Sequence, residues 1–385
     1  MHIVQVNYAY AADLPDPDAL LERFSTLTNW SEAVLSVPFH SAQGGQVGRV
    51  SVVQRFGHDG VVSRRGVQYL FRRERGGPTP DRWSACRRVA GAVATLHPDV
   101  VHINGLGFPV PTWWLRQRLP ATVAIVVQDH AGGQPRAGRL RGHVRRRLMA
   151  TVDAFLFTSV EQAAPWQRAG FITPHQQVHQ LLESSTTFAP VPREEINVDG
   201  DPAILWVGRL NVNKDPLTVL DGLERALRDL PGAVLTMVYG EGDLEAAVRQ
   251  RVEQSSTLRS RVRLVGRAAA ERMPAFYSAA DLFVLGSHHE SCGYALLEAA
   301  ACGAVPVVTN IPSFRAITGE GRIGQLWPPG DAGACARALV DAARLDLGAE
   351  RRRVMAHFQQ ALSWQAVGRA AADIYAAVAR AKRGA

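Results

Sequence analysis

The sequence predicts an α/β fold built from two doubly wound domains, each with a parallel sheet covered by helices. Short apolar strands alternate with helical stretches, and this alternation is typical of parallel sheets. The pattern runs along the chain twice, with a polar, proline-rich segment between the two runs. The length of 385 residues also exceeds one ordinary domain and suits two.

The predicted strands are short apolar runs that end at polar or turn-forming residues. In the first half they cover residues 3–6, 52–55, 67–71, 100–103, 124–127 and 155–157. In the second half they cover residues 204–207, 235–239, 262–265, 282–285 and 305–308. Because helical stretches separate successive strands, we expect one mainly parallel sheet in each half.

A linker separates two predicted domains, and a final helical segment follows them. The N-terminal domain covers residues 1–190, the C-terminal domain covers residues 200–362, and a final helical segment covers residues 363–385. We place the linker at residues 188–202, which are polar and proline-rich with little periodicity.

Charge and cysteine usage limit the partners and the compartment. The chain has 43 Lys and Arg against 35 Asp and Glu, a net charge of +8, which favours an anionic partner without naming one. Four scattered cysteines form no CxxC pair and are expected to be reduced thiols. We see neither a signal peptide nor an apolar run of about 20 residues, so a cytoplasmic protein is expected.

Two carboxylates, Glu290 and Glu298, are separated by seven residues across a predicted loop-to-helix junction. The helix is predicted over residues 294–302 and is ended by Gly303. A phosphate would meet backbone N–H groups at the start of this helix. The two acids are not spaced as a simple catalytic dyad, and no metal-ligand cluster accompanies them. A polyhydroxylated ligand with a phosphate in its middle fits this pattern best.

These residues resemble the retaining glycosyltransferases of family 4. The two glutamates follow a strand and precede Ala-Cys-Gly-Ala-Val-Pro-Val-Val at residues 301–308. Further matching motifs stand at residues 206–210, 214–216, 239–243 and 265–267, so the match covers the C-terminal half. The resemblance implies the GT-B fold, in which two Rossmann-like domains face each other across a cleft and the C-terminal helix crosses back to the N-terminal domain.

The same resemblance implies roles for residues of the C-terminal domain. Arg209 and Lys214 match the pair that binds the donor diphosphate, where fixed cations stabilise the developing charge. Glu298 would accept hydrogen bonds from the ribose hydroxyls, and Glu290 would act at the donor sugar near the reacting carbon. The other donor-binding candidates are Gly240, Arg267, Gly293, Tyr294, Ala295, Leu296 and Leu297. The alternative is a solvated loop with two surface cations and a helix-surface acid.

The resemblance implies that the N-terminal domain binds the acceptor. His130 follows a predicted strand and matches the family's histidine near the transferred sugar. Asn7, Asn104 and Asp129 also follow predicted strands and are our acceptor-side candidates, because ligands in open α/β sheets collect beyond the carboxyl ends of strands. A packed or surface role for the histidine is the alternative.

The expected activity is that of a metal-independent retaining glycosyltransferase without a cofactor. It would move a sugar from a nucleotide-diphosphate-sugar donor to an acceptor that is a small molecule, a lipid or a glycan. No covalent nucleophile is assigned, because the family is described as acting by front-face displacement. The alternatives are a GT-B enzyme that binds a nucleotide sugar without transfer, such as an epimerase, and a basic nucleic-acid-binding protein, for which no motif is found.

An arginine cluster within residues 136–147 raises the question of membrane contact. It could dock on anionic lipid at the inner face of the membrane, as in relatives whose acceptor is membrane-borne. The alternative is a solvated basic face, because few large apolar residues lie opposite the arginines. The arginines are Arg136, Arg139, Arg141, Arg145, Arg146 and Arg147.

Overall fold

The computed structural model describes residues 1–9, 14–37, 48–74, 84–130, 135, 139–192 and 199–384. The chain divides into two compact units. The N-terminal unit contains Met1–Ser184 together with Trp364–Ala385, and the C-terminal unit contains Ser185–Ser363. None of the helices in the described parts is long and apolar enough to cross a membrane.

The N-terminal unit is built on an eight-stranded sheet with the order β3-β4-β2-β1-β5-β6-β7-β8. All neighbouring strands are parallel except β3, which pairs with β4 in the antiparallel sense. The strands are β1 His2–Asn7, β2 Arg49–Phe56, β3 Gly60–Arg64, β4 Val67–Arg73, β5 Val100–Asn104, β6 Ala124–Gln128, β7 Ala154–Phe157 and β8 Gln177–Gln180.

Helices of the N-terminal unit follow the strands as crossover connections. They are α1 Pro17–Arg23, α2 Ser25–Leu35, α3 Arg87–Thr95, α4 Pro109–Arg116, α5 Arg139–Met149 and α6 Ala164–Arg168, with a 3-10 turn at Val160–Ala163. One face of the central strands forms a buried core with α3 and α4. This core includes Val4, Val101 and Val127 from the strands, and Val93 and Leu115 from the helices.

The C-terminal unit has a six-stranded, fully parallel sheet with the order β11-β10-β9-β12-β13-β14. Its strands are β9 Ala203–Arg209, β10 Val234–Gly240, β11 Val262–Gly266, β12 Leu282–Leu285, β13 Val305–Thr309 and β14 Gln325–Trp327. Its helices are α7 Pro216–Ala226, α8 Glu245–Gln254, α9 Ser256–Arg261, α10 Met273–Ala279, α11 Tyr294–Cys302, α12 Pro312–Thr318, α13 Ala332–Ala343 and α14 Leu347–His357. Short turns lie at Ala270–Arg272 and Phe358–Leu362.

The final helix, α15 Trp364–Gly384, belongs to the N-terminal unit and packs against α2. Gly368 permits the close approach, since a Cβ there would lie 2.5 Å from the Ala33 carbonyl oxygen. The Tyr375 hydroxyl lies 2.5 Å from His102 Nδ1, and Lys382 pairs with Asp153 at 2.7 Å. The expected return of the C-terminal helix to the N-terminal domain is therefore confirmed.

The predicted strands agree with the structure, and the differences have local causes. All eleven predicted strands are present, but β3, β8 and β14 were missed because they are exposed, polar or only three residues long. The C-terminal unit begins at Ser185, whereas the predicted N-terminal domain covers residues 1–190 and the predicted C-terminal domain begins at residue 200. The Val191 amide donates to Ser278 Oγ at 3.0 Å, which ties this segment to the C-terminal unit. Part of the predicted linker, residues 193–198, lies outside the described residues.

Candidate functional site

Each sheet has a point where the strand order changes direction, and the predicted site residues lie at or next to these two points. In the C-terminal unit the order runs from β9 to β11 on one side and from β12 to β14 on the other. In the N-terminal unit the corresponding neighbours are β1 and β5. Ligands of open α/β sheets bind beyond the carboxyl ends of the strands at such switch points. We describe one cluster of side chains in each unit.

The carboxylate cluster consists of Lys214, Asp215, Ser287, His288 and Glu290, on the loops after β9 and β12. The Lys214 ammonium donates a hydrogen bond to Glu290 Oε1 and forms an ion pair with it. Ser287 Oγ donates to the same carboxylate oxygen at 2.7 Å. The Lys214 and Glu290 side chains keep only 19% and 14% of their surface exposed, so both charges are held in place rather than free in solvent.

Backbone and side-chain bonds join the two loops of this cluster. The His288 amide donates to the Asn213 carbonyl at 2.8 Å, and Asn213 Nδ2 donates to the His289 carbonyl at 2.9 Å. His288 Nε2 lies 3.0 Å from Asp215 Oδ2. The Asp215 carboxylate also accepts from the Thr218 amide at the start of α7. The loops after β9 and β12 are therefore joined by hydrogen bonds. Lys214 is positioned by contacts with residues of both loops.

Three predicted donor-binding residues lie at or just after the ends of neighbouring strands, but they are not equally close to the switch point. They are Arg209, Gly240 and Arg267. Arg209 ends β9, is exposed, and stands opposite Gly240 in the register of β9 and β10. Arg267 follows β11, which β10 separates from β9. The structure thus places Arg209 and Gly240 on adjacent strand ends and Arg267 one strand farther away.

Helix α11 begins directly after the second loop, at Gly293. This glycine has φ 102°, and a Cβ there would lie 2.6 Å from Phe314 Cε1, so a side chain is excluded. The amides of Leu296 and Leu297 donate to the Gly293 carbonyl at 3.0 and 3.2 Å. Of the predicted donor-binding amides, those of Tyr294 and Ala295 therefore precede the first intrahelical bonds, where anions bind a helix.

Glu298 lies in the second turn of α11 and is bonded to a buried tyrosine. Tyr277 on α10 is fully buried and donates its hydroxyl to Glu298 Oε2 at 2.8 Å. Burial raises the pKa of Glu298, and this hydrogen bond acts in the opposite direction. Burial and the Glu298 charge raise the pKa of Tyr277 well above its ordinary value, so the tyrosine stays a neutral donor. Tyr277 was not predicted from the sequence, because its position in the helix is typical of an apolar core residue.

The amide–histidine cluster consists of Asn7, Asn104, His130 and Glu183 in the N-terminal unit. Asn7 ends β1 and Asn104 ends β5, and the two residues are partners in the strand register. Asn104 Nδ2 donates to Asn7 Oδ1 at 2.6 Å, and His130 Nε2 lies 3.1 Å from Asn104 Oδ1. Three residues predicted separately are therefore in one hydrogen-bonded chain. Asp129 is buried beside them.

Glu183 follows β8 and was not predicted from the sequence. Its side chain is 1% exposed, and its Oε2 lies 3.4 Å from His130 Nδ1, while the histidine side chain is 31% exposed. Loss of solvent around the ring lowers the pKa of His130, whereas a carboxylate at this distance favours the protonated ring. A buried carboxylate on one ring nitrogen fixes the orientation of the imidazole.

The basic cluster is only partly exposed. Arg145 donates to the Leu106 carbonyl at 2.8 Å and lies over the rings of Trp166 and Phe171, so it is used in packing. The exposed arginines of α5 are Arg141, Arg146 and Arg147. Arg136 and the Arg139 side chain lie outside the described residues. Within the described parts of the chain, no group of three or more His, Cys, Asp or Glu residues could hold a metal ion.

Comparison with known proteins assigns the family. Residues 201–344 match the family model described as glycosyl transferases group 1, and residues 34–181 match a glycosyl transferase 4-like domain. A glycogen synthase of Mycobacterium tuberculosis is 34% identical over 310 residues, which cover 76% of this chain and 72% of that protein. The chain belongs to the group 1 glycosyltransferases. The motifs around Glu290 and Glu298 predicted this family correctly.

This group 1 glycosyltransferase is also similar to a mannosyltransferase and to two proteins of solved structure. A GDP-mannose:cellobiosyl-diphosphopolyprenol alpha-mannosyltransferase of Xanthomonas campestris is 29% identical over 77% of this chain and 78% of that protein. The Anabaena protein HepE, in complex with UDP and glucose, has a TM-score of 0.64 at 14% identity, covering 98% of this chain and 100% of that one. Sucrose-phosphate synthase from Thermosynechococcus elongatus has a TM-score of 0.65 at 21% identity, covering 99% and 100%. These likenesses confirm the GT-B fold.

Proposed function

We propose that this group 1 glycosyltransferase takes a sugar from a nucleoside diphosphate sugar and passes it, with retention of configuration, to an acceptor hydroxyl. The observation that carries the proposal is the Lys214–Glu290 ion pair at the switch point between β9 and β12, directly before the start of α11. Cation, carboxylate and helix start together suit a ligand that is part phosphate and part sugar. The solved complex of HepE with UDP and glucose supports a donor of this class.

The C-terminal unit binds the donor in this proposal. An ammonium group has three N–H donors, and Lys214 uses one of them on Glu290, so it can also bind the diphosphate. Arg209 at the neighbouring strand end adds a second positive charge. Both cations stabilise the negative charge that builds on the leaving diphosphate. Glu298 accepts hydrogen bonds from the ribose hydroxyls.

Glu290 orients the donor sugar and stabilises positive charge at its reacting carbon. Bonds from Lys214 and Ser287 fix the Glu290 carboxylate, and a carboxylate has about four acceptor positions, so it can also accept from a sugar hydroxyl. Retention then follows from front-face displacement. The acceptor oxygen bonds to the sugar carbon as its bond to the diphosphate breaks, and the acceptor proton passes to the departing phosphate oxygen. No side chain forms a covalent intermediate.

The N-terminal unit binds the acceptor and the transferred sugar in this proposal. Asn7 and Asn104 are neutral amides that both donate and accept hydrogen bonds, which suits a polyhydroxylated molecule. His130 Nε2 exchanges its contact with Asn104 for a hydrogen bond to the transferred sugar, while Glu183 holds Nδ1. The acceptor is a small molecule, a lipid or a glycan. For a lipid acceptor, the exposed arginines of α5 would contact the anionic inner face of the membrane.

We propose that the reaction takes place in the cytoplasm without a metal or a cofactor. Fixed cations beside the diphosphate support metal independence, because they supply the charge that a metal would otherwise provide. All four cysteines are buried and none forms a disulfide, which supports a reducing compartment.

Thermal stabilisation by nucleotides tests the donor site first. A ligand that binds only the folded protein raises Tm, so Tm is measured with UDP, GDP, ADP and thymidine diphosphate and their sugars, with and without EDTA. We expect one base to raise Tm, equally in EDTA, and Lys214→Ala to reduce the shift. A shift that needs a divalent ion would contradict metal independence, and no shift with any of them would contradict the donor site.

Product analysis tests the reaction itself. The nucleotide sugar that raises Tm is incubated with glycan, lipid-linked and small hydroxyl acceptors, and the anomeric configuration of the product is read by NMR. We expect the product to keep the configuration of the donor. Interconversion of the donor sugar without an acceptor would instead support an epimerase-like enzyme, and an inverted product would contradict front-face displacement.

A further inference from the structure

Tyr277 is a buried tyrosine whose ring is fixed by packing within the C-terminal unit. Its side chain is fully buried on α10. The rings of Phe188 and Phe283 lie on it, with centroids at 6.3 and 5.9 Å. A ring held in this way has little freedom. The direction of the Tyr277 hydroxyl is therefore set by the core of the unit and not by solvent.

The hydroxyl of Tyr277 meets the carboxylate that our proposed function assigns to the ribose. It donates to Glu298 Oε2 at 2.8 Å. Among the described residues, no Lys, Arg or His side chain forms an ion pair with Glu298, although the carboxylate is largely removed from water. A carboxylate has about four acceptor positions. Tyr277 uses one of them, and enough remain for both hydroxyls of a ribose.

We infer that Tyr277 is a positioning residue that fixes the Glu298 carboxylate, and that this pair makes the donor site select ribonucleotides over deoxyribonucleotides. The inference rests on the proposed function, because it needs a nucleotide at the β9–β12 switch point. A carboxylate fixed by a rigid donor does not swing to compensate for a missing hydroxyl. A deoxyribose therefore leaves a desolvated acceptor position unused, which costs about tenfold or more in affinity.

Tyr277→Phe removes one oxygen atom and keeps the ring that packs against Phe188 and Phe283. Dissociation constants are measured by calorimetry for UDP and GDP and for their 2′-deoxy and 3′-deoxy analogues. For the nucleotide that binds, we expect the wild type to prefer the ribonucleotide about tenfold or more. In Tyr277→Phe we expect the ribonucleotide to lose about that factor, while the deoxy analogues change by less than about twofold.

A matched control separates this effect from the general cost of losing a buried hydroxyl. Tyr375→Phe removes the hydroxyl that contacts His102 in the N-terminal unit. We expect Tyr375→Phe to leave the dissociation constants of the ribonucleotide and of its deoxy analogues, and the ratio between them, unchanged. An unchanged ratio of the ribonucleotide and deoxynucleotide dissociation constants in Tyr277→Phe would overturn the inference. Equal losses for both ligands would mean a merely structural role for the hydroxyl.

A second variant covers the case in which Tyr277→Phe fails to fold. Glu298→Asp keeps the charge but draws the carboxylate back by one methylene, out of reach of the Tyr277 hydroxyl. We expect the same collapse of the ribose preference. A preserved preference in Glu298→Asp would overturn the inference.

The wild-type measurements distinguish this inference from the proposed function. Tighter binding of thymidine diphosphate than of UDP or GDP would leave the proposed donor site standing and overturn the ribose selectivity. Binding of none of the nucleotides by the wild type would overturn both.

Discussion

The two units place their candidate site residues at the same topological position but equip it with different chemistry. At the β9–β12 switch point the carboxylate cluster has an ion pair, Lys214–Glu290, supported by bonds between two loops. At the β1–β5 switch point the amide–histidine cluster has neutral amides and a histidine backed by Glu183. The fold provides the position, and the side chains decide which ligand binds there. Charge suits a diphosphate, whereas amides suit hydroxyl groups.

The two clusters are also held together by different kinds of interaction. Lys214 and Glu290 are both mostly buried and neutralise each other, so removal of either leaves the other charge uncompensated. Asn7 and Asn104 are held by a neutral hydrogen bond, whose loss costs less. Substitutions in the carboxylate cluster are therefore expected to have the larger effects.

The largest effect is expected for Glu290→Gln. In the proposed mechanism this change removes the negative charge that stabilises the reacting carbon but keeps an acceptor for Ser287 Oγ, so turnover should fall about 100-fold or more. Nucleotide affinity should change only a few-fold, because Lys214 stays available to the diphosphate. Steady-state kcat is compared with the dissociation constant of the free nucleotide. Equal losses in both quantities would assign Glu290 to nucleotide binding instead.

Glu298→Gln should weaken nucleotide binding about 10- to 100-fold, since the proposed acceptor of the ribose hydroxyls loses its charge. It should also raise the Tm of the ligand-free protein at pH 7. Burial raises the pKa of Glu298, so the folded protein disfavours its ionised form, and the stability of the protonated form is lost as pH rises through that pKa. Tm is therefore measured from pH 4 to 8. A gain that persisted below pH 4.5 would contradict this origin.

His130→Ala tests the other cluster and should lower kcat about tenfold, the value of one hydrogen bond to the sugar. The affinity for free nucleotide should stay unchanged, because His130 belongs to the N-terminal unit. Glu183→Gln serves as the companion variant. Without the carboxylate the protonated imidazole loses support, so the pKa of His130 should fall, as NMR titration of the ring would show. A pKa that stays constant or rises would remove Glu183 from this role.

The smallest effect is expected for Tyr375→Phe, which acts on stability alone. Losing the hydroxyl bond to His102 should cost about 1 kcal/mol, or roughly 2–4 °C in Tm. Calorimetric melting and kcat are measured on the same preparation. A fall in kcat at a temperature well below Tm would show that α15 also serves the site.

Sequence reasoning predicted the central strands and the bounds of α11, since buried apolar runs and a terminal glycine are local signals. It also singled out Lys214, Glu290 and Glu298, because these belong to spaced motifs. It missed the pairing of Lys214 with Glu290, which are 76 residues apart and meet only because β9 lies beside β12. Glu183 and Tyr277 were missed for a related reason. Each has its role through a partner that the local pattern does not reveal.

The return of α15 to the N-terminal unit sets an order for biosynthesis. The ribosome makes the N-terminal strands first, but the helix that packs against Ala33 leaves the exit tunnel only after every residue of the C-terminal unit. The C-terminal unit is continuous in sequence, so its core can form before the residues that complete the N-terminal unit, such as Gly368 and Tyr375, have been synthesised. The nascent chain is thus expected to complete its proposed nucleotide site before its N-terminal unit is complete.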